Sequence, residues 1–257
     1  MLEQIIQLAK HPLHQAQYRQ QCRRQLDRDG VLVLENFLTP QALAAVLEEG
    51  KAHQHQAFYA QSQHNVYLLK PDASCDDHHP RNRTVVSSKG CITDEEIPAD
   101  SALRTLYNAT LFKDFLCEVL NEQQLYPYAD RLSSINIHYA HTGQELGWHF
   151  DNSSFAITLL IQKPQGGGVF EYVKGLRNAD AGEMNFAGVA EMLEGKREPE
   201  RLSMMPGDLV LFRGRNALHR VTPTEGDVTR MLVVLAYNAE PGVSLSETAR
   251  MTFYGRV

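Results

Sequence analysis

The sequence predicts a mainly β protein with helices at its N-terminal side, its β portion a sandwich or jelly roll. Three observations predict this. Apolar residues recur at helical spacing in several stretches before about residue 130. From about residue 131 the texture changes to short strand-like runs: RLSSINIHYA, FAITLLIQK, GGGVFEYV, GDLVLFRG and RMLVVLAYN. Pro-Gln-Gly-Gly-Gly, Pro-Gly-Asp and Glu-Gly-Asp punctuate those runs, as turns between sandwich strands do. No repeat, low-complexity tract or Pro/Ser-rich linker divides the chain. The expectation is one domain over residues 1–257, helical to about 130, with a jelly-roll core over about 131–240.

The elements follow in order. Residues 1–28 read as helix, with Ile5, Ile6 and Leu8, then Tyr18, Cys22 and Leu26, apolar among Gln and Arg. GVLVLENF (30–37) reads as a short strand. Thr39-Pro40 marks a helix start, the threonine as N-cap and the proline in the first turn, where its missing N–H costs nothing. That helix is expected to stop at Gly50. Residues 70–101 are rich in turn formers and read as a long loop with a strand near Thr84 to Ser87. Loops of that length are often functional. Ser101 caps a helix over ALRTLYNATLFKDFLCEVL. An insertion at roughly 178–200 contains one more helix, FAGVAEMLEGK.

The chain has 257 residues, 43% hydrophobic and 22% charged, with a net charge of -6. This is an ordinary globular balance, and it argues against a nucleic-acid binder, which would show a basic face. No stretch reaches the 18 or so apolar residues of a membrane span, and the N-terminus lacks the pattern of a signal peptide. Cys22, Cys75, Cys91 and Cys117 are widely spaced, with no CxxC, and read as free thiols of a cytoplasmic protein. Oligomeric state is not legible.

The chemistry is concentrated in GWHFDNSSFAIT (147–158). His149 and Asp151 are two positions apart, so on a strand they share a face. A distant histidine, His219, lies in LFRGRNALHRVTP, and Arg230 follows it by eleven residues, beyond the turn TPTEGD. Two imidazoles and one carboxylate on one face suit Fe(II) and leave coordination positions open. A buried arginine beside them is a fixed partner for a carboxylate. Arg220 is its rival, but adjacency to His219 should turn it to the other face of the strand.

These residues carry a resemblance to the Fe(II)/2-oxoglutarate-dependent oxygenases. GWHFDNSSFAITLLIQKPQGGGVFEYV with PGDLVLFRGRNALHRVTP resembles the branch of free-amino-acid hydroxylases and the related radical halogenases. DGVLVLENFLTPQAL also resembles the entry to phytanoyl-CoA-hydroxylase-like members. The resemblance implies a double-stranded β-helix, that is, a jelly roll, with iron at one open end. It implies His149, Asp151 and His219 as iron ligands and catalytic residues, with Arg230 on the far carboxylate of 2-oxoglutarate. It further implies polar co-substrate contacts at Asn136 and His138, which share a strand face. Fe(II), 2-oxoglutarate and O2 are then the cofactor and co-substrates, with succinate, CO2 and a hydroxylated product released. In the halogenase members a small residue replaces the carboxylate and makes room for halide. Asp151 therefore points to hydroxylation.

The implied substrate is a small polar metabolite, a free amino acid or derivative. Candidate contacts are Trp148 beside the metal pair, Asn152 after it, and Arg81 and Arg83 from the long loop. Each has a plainer alternative, as core packing, a turn residue or a surface cation. Lysine-acting relatives are expected to carry an acid near position 152, so Asn152 puts a lysine substrate in doubt. Competing readings are a peptidyl or protein side-chain hydroxylase, a jelly-roll protein that holds metal without turnover, and a metal-dependent isomerase.

Overall fold

The structure is a computed structural model that describes residues 2–257. In chain order it contains α1 (Ala16–Asp29), β1 (Val31–Leu34), α2 (Pro40–His53), β2 (Phe58–Asn65), β3 (Thr84–Ile92), α3 (Ala102–Asn108), α4 (Thr110–Leu120), β4 (Ile135–Ala140), β5 (Leu146–His149), β6 (Ala156–Gln162), β7 (Gly166–Gly167), β8 (Phe170–Val173), α5 (Phe186–Leu193), β9 (Glu200–Leu202), β10 (Leu209–Phe212), β11 (Leu218–Val221), β12 (Thr224–Glu225), β13 (Arg230–Leu235) and α6 (Glu247–Tyr254). Among the described residues, no helix is long and apolar enough to cross a membrane.

One antiparallel sheet runs in the order β1-β10-β6-β13-β4-β3-β5-β11-β8-β9, with β2 added to β3. Residues from both ends of that order line one cavity, so the sheet is curled into two facing layers. This is the expected jelly roll. The period-2 alternation of the strands explains the layering. Ile137 and Tyr139, Ile157, Leu159 and Ile161, Leu209 and Leu211, and Met231 and Val233 face the helices in the largest hydrophobic cluster. Their neighbours Asn136 and His138, Thr158, Val210 and Phe212, and Arg230, Leu232 and Val234 face the cavity. A second apolar cluster packs α5 on the outside of the short layer, through Trp148, Phe150, Val173, Val189 and Leu218.

Several elements depart from the sequence reading. The first helix is not continuous over 1–28. A short 3-10 turn, Leu2–Gln4, is followed by irregular chain through Pro12, and α1 begins only at Ala16. Proline cannot donate the hydrogen bond that a helix interior needs. Thr39 caps α2 as expected, accepting from Ala42 N at 3.1 Å, but the helix runs on past Gly50 to His53. A Cβ at Gly50 would lie 3.4 Å from Ile161, and its carbonyl accepts from the Tyr139 hydroxyl at 2.7 Å. That glycine thus serves close helix-on-sheet packing rather than a stop. The helix after Ser101 divides into α3 and α4, which Ala109 separates in extended conformation. β3 is nine residues long, not four, because it pairs with β2, a polar strand with almost no hydrophobic alternation. All four cysteines are free.

Candidate active site

The site begins with an irregularity in β5. His149 stands opposite His219, while Leu146 stands opposite Val221. Three residues of β5 therefore span two of β11, a β-bulge. The extra residue lets Leu146 and His149 both face the cavity. Gly147 occupies the bulge, and a Cβ there would lie 2.5 Å from the carbonyl oxygen of Val86. Only glycine fits that gap without moving β3.

His149, Asp151 and His219 bring one ligand atom each within 4.8 Å of one another. Nε2 of His219 lies 3.4 Å from Asp151 Oδ1, and Nε2 of His149 lies 3.7 Å from it. The other ring nitrogens are fixed. Nδ1 of His149 donates to the carbonyl of Gly147 at 2.8 Å, and Nδ1 of His219 donates to that of Ala217 at 2.9 Å. A carbonyl only accepts, so each Nδ1 carries a proton and each Nε2 is turned towards the Asp151 carboxylate. Burial, aided by His219 alongside, lowers His149 to a pKa of about 3, which keeps it neutral. Burial pushes the Asp151 carboxyl up, but His219, His149 and Arg177 outweigh that, and it stays ionised below its usual range. A neutral His149 and an ionised Asp151 are in the protonation states metal ligation needs.

Two further devices hold Asp151. Its backbone N–H donates to Gly214 O at 3.1 Å, and a Cβ at Gly214 would fall 1.8 Å from Asp151 Oδ2. The carboxylate fills the space a side chain at 214 would take. Arg177 sits 4.2 Å over the Phe150 ring and donates to the Asp151 carbonyl at 3.4 Å.

Beyond the metal set lies a cavity of about 390 Å³. Arg230 opens β13 opposite Ala140 and is only 7% exposed, yet no protein carboxylate pairs with it among the described residues. Burial lowers its pKa to about 10, so it remains a cation near neutral pH. Arg220 turns to the outer face, as alternation predicts. It pairs with Glu171 at 2.7 Å and stacks 4.6 Å from the Trp148 ring. The sequence reading missed Lys89, which lines the same cavity from β3. Its Nζ lies 3.1 and 3.2 Å from Nδ1 and Nε2 of His138. Burial lowers the Lys89 pKa, and burial with Lys89 and Arg230 beside it lowers His138 well below its ordinary value. A lysine inside a stretch read as loop carries no signal of burial. Only the pairing of β3 with β4 (Gly90 with Tyr139, Cys91 with His138) turns it inward.

Other expected contacts are placed elsewhere. Trp148 points out of the jelly roll into the α5 cluster, because it is one residue from the inward His149, and it does not line the cavity. Arg83 donates to the Leu193 carbonyl at 3.1 Å, and neither it nor Arg81 lines the cavity. Asn136 does line it, but its amide is engaged by protein. Nδ2 donates to Leu132 O and Ile135 O at 2.7 and 2.9 Å, and Oδ1 accepts from the Tyr254 hydroxyl at 3.1 Å. Asn152 is at the exposed rim.

A curled antiparallel sheet carrying a His-Asp-His donor set, with an unpaired arginine in its cavity, defines the 2-oxoglutarate/Fe(II) oxygenases. The chain belongs within that class to the family described as Halogenase D, whose family model matches residues 14–252. No curated protein matches the sequence. Among solved structures, the chain is similar in fold to the α-ketoglutarate-dependent epimerase SnoN from nogalamycin biosynthesis. The TM-score is 0.59 at 12% identity, covering 87% of this chain and 81% of that one. The carbocyclase SnoK from the same biosynthesis gives 0.57 at 13% identity, covering 92% of both chains. A 2OG-Fe(II) oxygenase-family oxidoreductase from Burkholderia pseudomallei gives 0.55 at 14% identity, covering 88% of this chain and 93% of that one. Fe(II) and 2-oxoglutarate are the cofactor and co-substrate of the class, and the donor set here has the chemistry to hold the metal.

Proposed function

We propose that this protein is a hydroxylase that couples oxidative decarboxylation of 2-oxoglutarate to oxidation of an unactivated C–H bond in a small molecule, an amino acid or a derivative of one. The observation that carries the reading is Asp151, an ionised carboxylate completing the donor set with His149 and His219. The family's name suggests halogenation. In the halogenase members a small residue stands where Asp151 stands and leaves a place for halide. Here a carboxylate occupies that place, and the glycine at 214 gives it room.

When bound, iron with 2-oxoglutarate supplies oxygen activation. The chain's own residues do the rest. His149, His219 and Asp151 hold the metal through Nε2, Nε2 and a carboxylate oxygen. Arg230 takes the far carboxylate of the co-substrate, with Lys89 as a second cation at the same end of the cavity. His138, neutral beside Lys89, keeps that lysine in place. Walls from both layers of the sheet exclude water from the reacting atoms.

An anaerobic titration of metal-free protein with Fe(II) and 2-oxoglutarate tests this. The visible charge-transfer band of the chelate should appear, and His219→Ala should abolish it. In air, succinate should accumulate with a hydroxylated product. A chlorinated product formed in the presence of chloride would overturn the hydroxylase reading. A folded protein with no band would favour a jelly-roll binding protein without turnover.

A further inference from the structure

The cavity is electrically lopsided. Apart from histidines, Lys89, Asp151 and Arg230 are the ionisable side chains with a formal charge among its described lining residues. All three belong to the metal or the co-substrate in the reading above, on which this inference rests. Arg230 stands opposite Ala140, and Lys89 precedes Gly90, which stands opposite Tyr139. At the other end of the same strand pair, Val234 stands opposite Asn136, four residues away, or about 13 Å at strand rise.

That other end is apolar. Phe155, Val234, Leu245, Tyr237 and Tyr254 line it, and α6 roofs it. Several polar atoms there are already used. The Tyr237 hydroxyl donates to Tyr107 O at 2.7 Å, the Tyr254 hydroxyl donates to Asn136, and the Asn136 amide donates to two carbonyls. The Ser133 hydroxyl, buried and without a hydrogen-bond partner among the described residues, and the Tyr128 and Thr158 hydroxyls are the uncharged groups left to meet a ligand. A zwitterion buried there would leave its ammonium without a carboxylate, which is costly in a low-dielectric site.

We propose that the substrate presents an uncharged, apolar or aromatic group to the metal, as an amino acid with its amino and carboxyl groups both masked, and not as a free zwitterion or a lysine. Neutral hydrogen-bonding groups on the substrate meet these hydroxyls. The charged end of the cavity thus selects 2-oxoglutarate, and the uncharged end selects the substrate.

Calorimetric titration with N-acetyl-L-leucinamide, N-acetyl-L-phenylalaninamide, L-leucine, L-phenylalanine and L-lysine tests this. It is run on the metal-free protein and, anaerobically, on protein with Fe(II) and 2-oxoglutarate. The neutral probes should bind at least about tenfold more tightly than the zwitterions in both states. Equal or tighter binding of any free amino acid would overturn the proposal, as would failure of both neutral probes to bind. The chelate band, read in the same samples, reports separately on the iron and 2-oxoglutarate reading. Its absence with the probe ranking intact would sink that reading and leave the chamber's selectivity standing.

Discussion

At the scale of single residues, the site depends on which face a side chain takes. Asp151→Ala removes the one carboxylate of the donor set and should lower hydroxylation at least a hundredfold, read by product formation at saturating Fe(II). Retained activity would show that the carboxylate is not a ligand. Arg230→Ala should raise the 2-oxoglutarate requirement at least tenfold, since it removes a buried cation that lacks any protein anion. Arg220→Ala should leave that requirement unchanged, because Arg220 already pairs with Glu171 on the opposite face. The reverse pattern would exchange their roles. The donor set itself was legible because His149 and Asp151 lie two residues apart and Arg230 follows His219 closely. Trp148 takes the core-packing alternative by the same rule: adjacency to an inward ligand on a strand means facing out. Lys89 was invisible because nothing local marks a lysine as buried.

At the scale of elements, glycines and helix docking set the geometry. Gly214→Ala should push the Asp151 carboxylate from its place and weaken Fe(II) binding while the fold persists, measured as metal retained after dialysis against a circular-dichroism control. Unchanged metal content would show that the loop yields freely. Phe112 on α4 is fully buried in the cluster between helices and sheet. Phe112→Ala should cost about 3–5 kcal/mol in a urea unfolding experiment. Strands with alternating apolar residues, such as β6 and β13, were legible because burial of one face writes itself into the sequence. β2 was not, since it is an edge strand with both faces mostly exposed. α6 was missed as well, because a roof over a cavity buries little of its surface. Tyr254 is its one buried residue.

At the scale of the whole molecule, the cavity's buried cations make stability depend on acidity. His138 is held neutral by burial and by Lys89 and Arg230, its pKa well below the ordinary value. An unfolded chain would bind a proton at about pH 6.5 that the folded chain refuses. The contribution is therefore complete above that pH and lost progressively below it. The urea midpoint of the metal-free protein should fall between pH 7 and pH 5.5, and His138→Gln should flatten part of that fall. His149, lowered to about 3, contributes in the same direction, so some slope should remain. A midpoint constant across this range would contradict the buried, neutral state of both rings.

The bulge at Gly147 has a consequence for how such chains diverge. Three residues of β5 do the work of two, and the bulge absorbs the odd one so that Leu146 and His149 both face inward. Loss of one codon between Leu146 and Trp148 would leave composition, length and hydropathy almost untouched. The strand would then pair in regular register, with Leu146 and His149 two residues apart and still on one face. A gap at this point in a homologous sequence is therefore compatible with the same metal site, whereas a larger residue at 147 in an ungapped chain would press on β3.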